Sequence, residues 1–185
     1  MQRANLATAL TIAGSDSGGG AGIQADLKVF ASLGVFGTSS VTAITAQNPE
    51  RVTKIQPVSP PMVAAQIHAV FQAFDVRAAK CGMLGTASIV EAVADELSIE
   101  VRRQTSIGKS LKLVMDPILR ATSGTELLES RAWKVLEHEG KRGGRVVHDI
   151  GPVREDHSLG AGFYFLGDCF CNLHPVGGGH VFGCD

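Results

Sequence analysis

The sequence predicts an α/β fold in which a mostly parallel sheet is flanked by helices. Over residues 6–139, short apolar runs alternate with longer segments whose apolar residues recur at helical spacing. The apolar runs end in small or polar residues, which is typical of buried strands that lead into loops. Strand–helix–strand units of this length form right-handed crossovers, and such crossovers align neighbouring strands in parallel.

Four strands are predicted from short runs of β-branched and apolar residues. Each run is too short for a typical helix and is bounded by glycine, proline or polar residues. In chain order, the predicted strands are Leu6–Ala13, Thr38–Thr45, Ala78–Leu84 and Leu111–Met115.

Helices are predicted between these strands from apolar residues at three- and four-residue spacing. The first helix is expected to stop at Gly34, and the second begins at Pro60-Pro61, because proline fits the first helical turn. The apolar faces of four helices are expected at Ile23, Leu27 and Phe30; at Val63, Ile67, Val70, Phe71 and Phe74; at Val90, Val93 and Leu97; and at Leu128, Ala132, Val135 and Leu136.

The ends of the four strands predict where a site lies. Sites in open parallel sheets are found at the carboxyl ends of the strands. Small and polar residues stand there in all four cases: Gly14-Ser15-Asp16, Ala46-Gln47-Asn48, Gly82-Met83-Leu84 and Asp116-Pro117. We therefore expect these four segments to line one pocket.

Composition and charge narrow the class of protein. The 185 residues are 44% hydrophobic and 19% charged, which is typical of a globular chain. The formal net charge of -1 offers no basic surplus for nucleic acid, so no nucleic-acid partner is expected. The sequence has no apolar run of membrane-spanning length and no recognisable leader, which predicts a cytoplasmic protein without a membrane partner. Cys81 is expected to be a buried small apolar residue.

The stretch Ala13–Asp26 contains five glycines and two aspartates. It is not a P-loop, because no Gly-Lys-Ser/Thr follows it. It is not a dinucleotide fingerprint, because Ile23 stands where a third glycine is required. Two interpretations remain. The glycines provide turn flexibility before a helix, or they let the backbone approach a flat ring whose polar edge is bound by Asp26 and Gln47.

The chain divides by composition into residues 1–139 and a divergent glycine-rich tail, residues 140–185. The tail holds eleven of the 22 glycines and three of the four cysteines. Two stretches, "GRVVHDIG" and "GAGFYFLGDCF", could be strands, whereas "HPVGGGHVFGCD" is expected to be coil.

Zinc binding by the tail is an alternative to a loosely packed structure. Cysteine pairs in structural zinc sites are separated by two to four residues, whereas Cys169 and Cys171 are separated by one. A loosely packed tail is therefore the favoured interpretation. The residues that could ligate zinc are Cys169, Cys171, His174, His180 and Cys184.

The stretch "LTIAGSDSGGGAGIQADLKVFASLGVFGTSSVTAITAQN" resembles the N-terminal half of hydroxymethylpyrimidine/phosphomethylpyrimidine kinases, which belong to the ribokinase-like superfamily. "KCGMLGTASIVEAVADEL" and "LVMDPILRATSG" follow in the order of that family. The resemblance covers about residues 5–139 and implies a ribokinase-like fold whose C-terminal part is incomplete.

The resemblance implies an ATP- and Mg²⁺-dependent kinase of thiamine biosynthesis. Such an enzyme phosphorylates 4-amino-5-hydroxymethyl-2-methylpyrimidine and then its monophosphate. By similarity, Gly14, Asp26, Gln47 and Met83 bind the pyrimidine, and Asp116 lies near the phosphates and the metal. The resemblance assigns no catalytic residue to a position in this sequence, and a homodimer is a possible assembly.

The sequence departs from this family after the Asp116-Pro117 strand end. The Thr-Pro-Asn-x-x-Glu, Lys-Gly-Gly and Gly-Thr-Gly-Cys/Asp motifs do not occur. Gly160-Ala161-Gly162 resembles the last of these only superficially, because Phe163 follows it. The alternative is a truncated or frameshifted remnant that binds pyrimidine without catalysing its phosphorylation, since the phosphate-side loop is missing.

Overall fold

The computed structural model describes residues 6–116, Leu128 and residues 146–148, 174–176 and 179–181. The chain divides into two compact units, Met1–Val146 and Val147–Asp185. The described residues form β1 (Thr8–Asp16), α1 (Gly22–Ser32), β2 (Phe36–Gln47), β3 (Val52–Pro57), α2 (Pro60–Ala73), β4 (Val76–Cys81), α3 (Ala87–Ser106), β5 (Lys112–Met115), β6 (Val146–His148), β7 (His174–Val176) and β8 (Gly179–Val181).

The prediction of a mostly parallel sheet flanked by helices is confirmed. The strand order is β3-β2-β1-β4-β5-β6. β1 pairs in parallel with β2 and β4, and β4 pairs in parallel with β5, as the crossover argument predicts. Because these strands run in one direction, the segments that follow them meet at one edge of the sheet.

β3 was not expected from the sequence. It pairs antiparallel with β2. Asn48 makes the turn between them, because its Oδ1 accepts hydrogen bonds from the backbone N–H groups of Glu50 (3.0 Å) and Arg51 (2.9 Å). Most side chains of β3 are exposed, so this edge strand lacks the apolar pattern that identifies a buried one.

The two faces of β1 pack against different helices. Leu10 and Ile12 are fully buried and belong to the main core with residues of α2 and α3. Thr11 points to the opposite face and contacts Asp26 of α1. This alternation follows from the two-residue period of a strand. The loop between β1 and α1 follows the last residue of β1, so it lies at the carboxyl edge of the sheet.

Two expected helical positions are wrong. Phe74 lies just beyond α2 with extended backbone, is exposed, and stacks on Phe36 with ring centroids 5.5 Å apart. Leu128 is buried but makes an isolated parallel bridge to Gly85, so its backbone pairs with another segment instead of forming a helical turn. The other three residues expected on that helix, Ala132, Val135 and Leu136, lie outside the described residues.

The tail is partly described. The strand predicted in "GRVVHDIG" is confirmed as β6, and the expectation of coil in "HPVGGGHVFGCD" is wrong for β7 and β8. These two pair antiparallel, with His174 opposite Val181 and Val176 opposite Gly179. A Gly-Gly pair between two short segments favours such an antiparallel pairing. The glycines also interrupt the alternation of apolar and polar residues by which a strand is recognised in a sequence.

The remaining statements about the tail stay predictions. "GAGFYFLGDCF" lies outside the described residues, as do Cys169, Cys171 and Cys184 among the residues considered for zinc. The division at residue 139 also stays a prediction. None of the three described helices is both long and apolar enough to cross a membrane.

Candidate functional site at the carboxyl edge of the sheet

Gly14 and Met83 meet at the carboxyl edge, at the ends of β1 and β4. A Cβ atom built on Gly14 would lie 3.0 Å from Met83 Sδ and 3.8 Å from the carbonyl oxygen of Ala43. Both residues are buried. The Thr42 hydroxyl donates a 2.6 Å hydrogen bond to the Met83 carbonyl, which fixes this segment against β2. A side chain at position 14 would therefore press on the Met83 thioether, whereas glycine leaves bare backbone beside it.

Asp16 organises the glycine-rich loop. Its Oδ1 accepts from the N–H of Gly18 (2.7 Å), and its Oδ2 accepts from those of Gly20 and Ala21 (both 2.9 Å). Its backbone carbonyl accepts from the N–H of Gly19 at 3.0 Å. Four successive N–H groups are thus occupied by one residue. The loop cannot offer them to a phosphate, which agrees with the exclusion of a P-loop.

Two further side chains fix the loop in place. The Ser17 hydroxyl donates to the Gln47 carbonyl (2.7 Å) and accepts from the Gln47 N–H (2.8 Å). Gln24 accepts from the Asp16 N–H at 2.9 Å and donates to the Ser15 hydroxyl at 2.7 Å. The loop is therefore tied to β2 and α1. These hydrogen bonds were not predicted from the sequence, where the available signal is the polar residues clustered around the glycines.

Gln47 is the last residue of β2, pairs with Val52 of β3 and is partly exposed. Its Oε1 lies 3.2 Å from the Thr45 hydroxyl. Its Nε2 makes no hydrogen bond with any residue in the described part of the chain. A side-chain amide with an available donor at this edge of the sheet suits recognition of a polar ring.

Asp26 lies on α1 and is almost fully buried. Its Oδ2 accepts a 2.6 Å hydrogen bond from Thr11, and its Oδ1 lies 2.9 Å from Lys80 Nζ. Each carboxylate oxygen therefore already has a protein donor. The carboxylate is placed to hold Lys80 and Thr11, which the sequence interpretation did not foresee.

Lys80 joins Asp26 to Asp116, the residue that follows β5. Its Nζ lies 3.5 Å from Asp116 Oδ2, and the side chains of Lys80, Asp26 and Asp116 are 13%, 3% and 38% exposed. We call these three residues the charged trio. Sequence reasoning missed Lys80. Its signal was a lysine within the predicted strand Ala78–Leu84, whose other residues are small or apolar.

Asp116 suits a magnesium ion that also binds substrate phosphates. Its backbone N–H donates to the Cys81 carbonyl at 2.9 Å, which continues the β4–β5 pairing and holds the carboxylate at the sheet edge. No group of three or more metal-binding side chains occurs among the described residues. Mg²⁺ commonly uses one or two carboxylates together with phosphates and water. The carboxylate faces solvent and already has a cation, Lys80, as a neighbour.

Cys81 is buried beside this site, as expected, and burial raises the pKa of its thiol to about 12. We predict that Cys81 resists iodoacetamide at pH 8 in the folded chain and reacts after unfolding in urea. Peptide mapping by mass spectrometry separates Cys81 from the other cysteines. The ordinary pKa of a cysteine thiol is 9.0, so the thiol ionises at lower pH in the unfolded chain than in the folded one. The free energy of unfolding should therefore fall as the pH rises from 9 towards 12. Rapid labelling of the folded chain at pH 8 would contradict this environment.

Comparisons with known proteins agree with this geometry. The family model described as phosphomethylpyrimidine kinase matches residues 16–140. Hydroxymethylpyrimidine/phosphomethylpyrimidine kinases from Rhizobium meliloti and Haemophilus influenzae are 52% and 47% identical over 72% and 73% of this chain. The chain spans only 47% of the length of each.

Solved structures support the ribokinase-like fold. The phosphomethylpyrimidine kinase from Clostridium difficile 630 matches with a TM-score of 0.61 and 40% identity, over 70% of this chain and 53% of that one. An ADP complex of Bacillus subtilis pyridoxal kinase matches with a TM-score of 0.59 and 33% identity, over 72% of this chain and 48% of that one. The family match, these relatives and the shared fold together show that the chain belongs to the phosphomethylpyrimidine kinase family.

Proposed function

We propose that this chain forms the acceptor-binding part of a kinase that uses ATP to phosphorylate the hydroxymethyl group of 4-amino-5-hydroxymethyl-2-methylpyrimidine and then its monophosphate. The close approach of Gly14 and Met83 carries this proposal, because backbone without a side chain lies next to an apolar thioether, a combination that suits contact with a flat ring. The names of the similar kinases support the choice of substrate.

The ring would lie on Gly14 and Met83, with its polar edge towards Gln47. Gln47 can donate through Nε2 to a ring nitrogen and accept through Oε1 from an amino group. Asp26 contributes as a positioning residue, because it is almost fully buried and its oxygens accept from Thr11 and Lys80, whereas Gln47 is partly exposed. This proposal differs from the interpretation of the sequence, in which Asp26 binds the polar edge of the ring directly.

Asp116 would hold Mg²⁺ at the phosphate side of the same edge. Magnesium bound there would neutralise charge on the phosphates during transfer. The ADP complex of the similar pyridoxal kinase supports ATP as the donor. The protein's own contribution is positional: the ends of β1, β2 and β4 hold the acceptor, and the end of β5 holds the carboxylate. The cytoplasmic location and the homodimer stay predictions from the sequence.

A pyrimidine-binding chain without transfer activity is the second candidate. It is favoured by one observation: residues 140–185 contain no Gly-Thr-Gly-Cys or Gly-Thr-Gly-Asp motif. Phosphoryl transfer depends on positioning and charge stabilisation at the donor phosphates. A chain without groups for that task would bind the acceptor only.

One experiment separates the two candidates. The full chain is incubated with ATP, Mg²⁺ and the hydroxymethylpyrimidine while ADP is measured, and pyrimidine binding is followed separately by calorimetry. ADP that depends on the pyrimidine supports the kinase. Binding without ADP supports the second candidate, and absence of both overturns the proposed function.

Gly14→Ala tests the pocket itself. The new methyl group is 3.0 Å from Met83 Sδ, so the thioether must move into the space assigned to the ring. We expect pyrimidine binding to weaken about tenfold or more, equivalent to about 1.4 kcal/mol. Gly20→Ala is the matched control, because the nearest atom to its added Cβ is 3.9 Å away. Equal affinity in the two variants would place the ring elsewhere.

A further inference from the structure

Lys80 lies between two carboxylates that have different tasks in the proposed function. Asp26 belongs to the acceptor side, and Asp116 to the metal and phosphate side. Lys80 Nζ is 2.9 Å from Asp26 Oδ1 and 3.5 Å from Asp116 Oδ2. The side chain is largely shielded from solvent, so its charge acts on both neighbours with little screening.

The ion pairs that Lys80 makes with Asp26 and with Asp116 are unequal. Asp26 is buried and also accepts a hydrogen bond from Thr11, so that half of the trio is fixed. Asp116 is more exposed, and its contact with the ammonium is longer. Of the two ion pairs, the one with Asp116 is therefore the one that an incoming cation can replace. A divalent ion on that carboxylate would repel the lysine ammonium.

We propose that Lys80 is a built-in counter-ion of Asp116 and competes with a divalent cation for this carboxylate. When a cation binds Asp116, the Lys80–Asp116 pair breaks and Lys80 stays on Asp26. Lys80 is thus a positioning residue that links the metal side to the acceptor side. This inference rests on the proposed function only in placing a divalent cation at Asp116.

Manganese binding to the full chain tests this competition directly. Mn²⁺ affinity is measured by electron paramagnetic resonance, without ATP or pyrimidine. The comparison uses Asp26→Asn as background, because removing Lys80 alone would leave a buried carboxylate without its ion-pair partner. We expect the double variant Asp26→Asn/Lys80→Met to bind Mn²⁺ on the order of tenfold more tightly than Asp26→Asn, since the competing charge is gone.

Two controls locate the effect. Adding Asp116→Asn to the double variant should abolish the tighter binding, because the carboxylate itself is lost. Lys80→Arg in the otherwise unchanged chain should leave the affinity within about twofold of its original value, because the charge remains. Equal affinity with and without Lys80, or tighter binding that survives Asp116→Asn, overturns the inference.

A second measurement needs no variant that removes charge. Side-chain NMR of the unmodified chain should show the Lys80 Nζ and Cε resonances shifting on addition of Mg²⁺, because one of its ion pairs breaks. Resonances that do not move while Mg²⁺ binds at Asp116 overturn the inference. If the manganese result holds but no pyrimidine binds, the proposed function fails and the inference stands.

Discussion

Gly22→Ala is expected to destabilise the chain by about 3 kcal/mol or more, at the upper end for single substitutions. Gly22 has φ +57, and an added Cβ would lie 2.2 Å from the carbonyl oxygen of Gly14. Both are backbone positions, so no side-chain rotation relieves the overlap. The end of β1 or the start of α1 must move. Urea unfolding gives the change in free energy of unfolding.

Gly34→Ala is the matched control for this prediction. Its φ is +70, but an added Cβ has no atom within 4 Å. It therefore carries the conformational strain without the overlap, and we expect a loss of about 1 kcal/mol. The difference between the two variants measures the close approach of Gly22 to Gly14. Equal losses would mean that the loop does not pack against β1 as described.

Lys80→Met is expected to cost about 3–5 kcal/mol, because it leaves the buried Asp26 carboxylate without its charged partner. Asp26 Oδ2 would keep its hydrogen bond from Thr11, but Oδ1 would lose the ammonium at 2.9 Å. Adding Asp26→Asn should recover most of the loss, since the buried negative charge is removed as well. The free energy of unfolding of the two single variants and the double variant gives the coupling between these side chains.

Lys109→Met is the matched control for Lys80→Met, because it removes a lysine from an ion pair of similar length that is not buried. Lys109 Nζ lies 2.8 Å from Asp75 Oδ1, nearly the separation between Lys80 and Asp26, but both partners are exposed. Water and salt screen such an ion pair, so this substitution should have little effect on the free energy of unfolding. Similar losses for Lys80→Met and Lys109→Met would contradict the buried setting of the charged trio.

The sequence predicted which edge of the sheet carries the candidate site residues. Gly14, Gln47, Met83 and Asp116 each follow or end a predicted strand, and parallel strands bring such positions to the same edge. This inference needed only the order of strands and helices. The same reasoning could not reveal Lys80, because a charged residue in a strand usually faces solvent, and its two partners are distant in sequence.

The sequence also did not indicate which side chains hold the glycine-rich loop between β1 and α1 in place. Asp16 and Asp26 have the same side chain in the same glycine-rich stretch, yet the Asp16 carboxylate binds three backbone N–H groups of the loop and the Asp26 carboxylate pairs with Lys80. Only the packing of α1 on β1 decides which carboxylate has which role. The exposed edge strand β3 and the glycine-separated strands β7 and β8 escaped prediction because neither carries a continuous apolar pattern.

Methyl NMR of the full chain with ¹³C-labelled methionine tests the central claim that the pyrimidine ring lies on Met83. The sequence has four methionines, and the exposed Met62 of α2 serves as an internal reference. On titration with 4-amino-5-hydroxymethyl-2-methylpyrimidine, the Met83 methyl should shift through the ring current of the bound ligand while Met62 stays unchanged. Binding that leaves the Met83 resonance in place would contradict the assigned pocket.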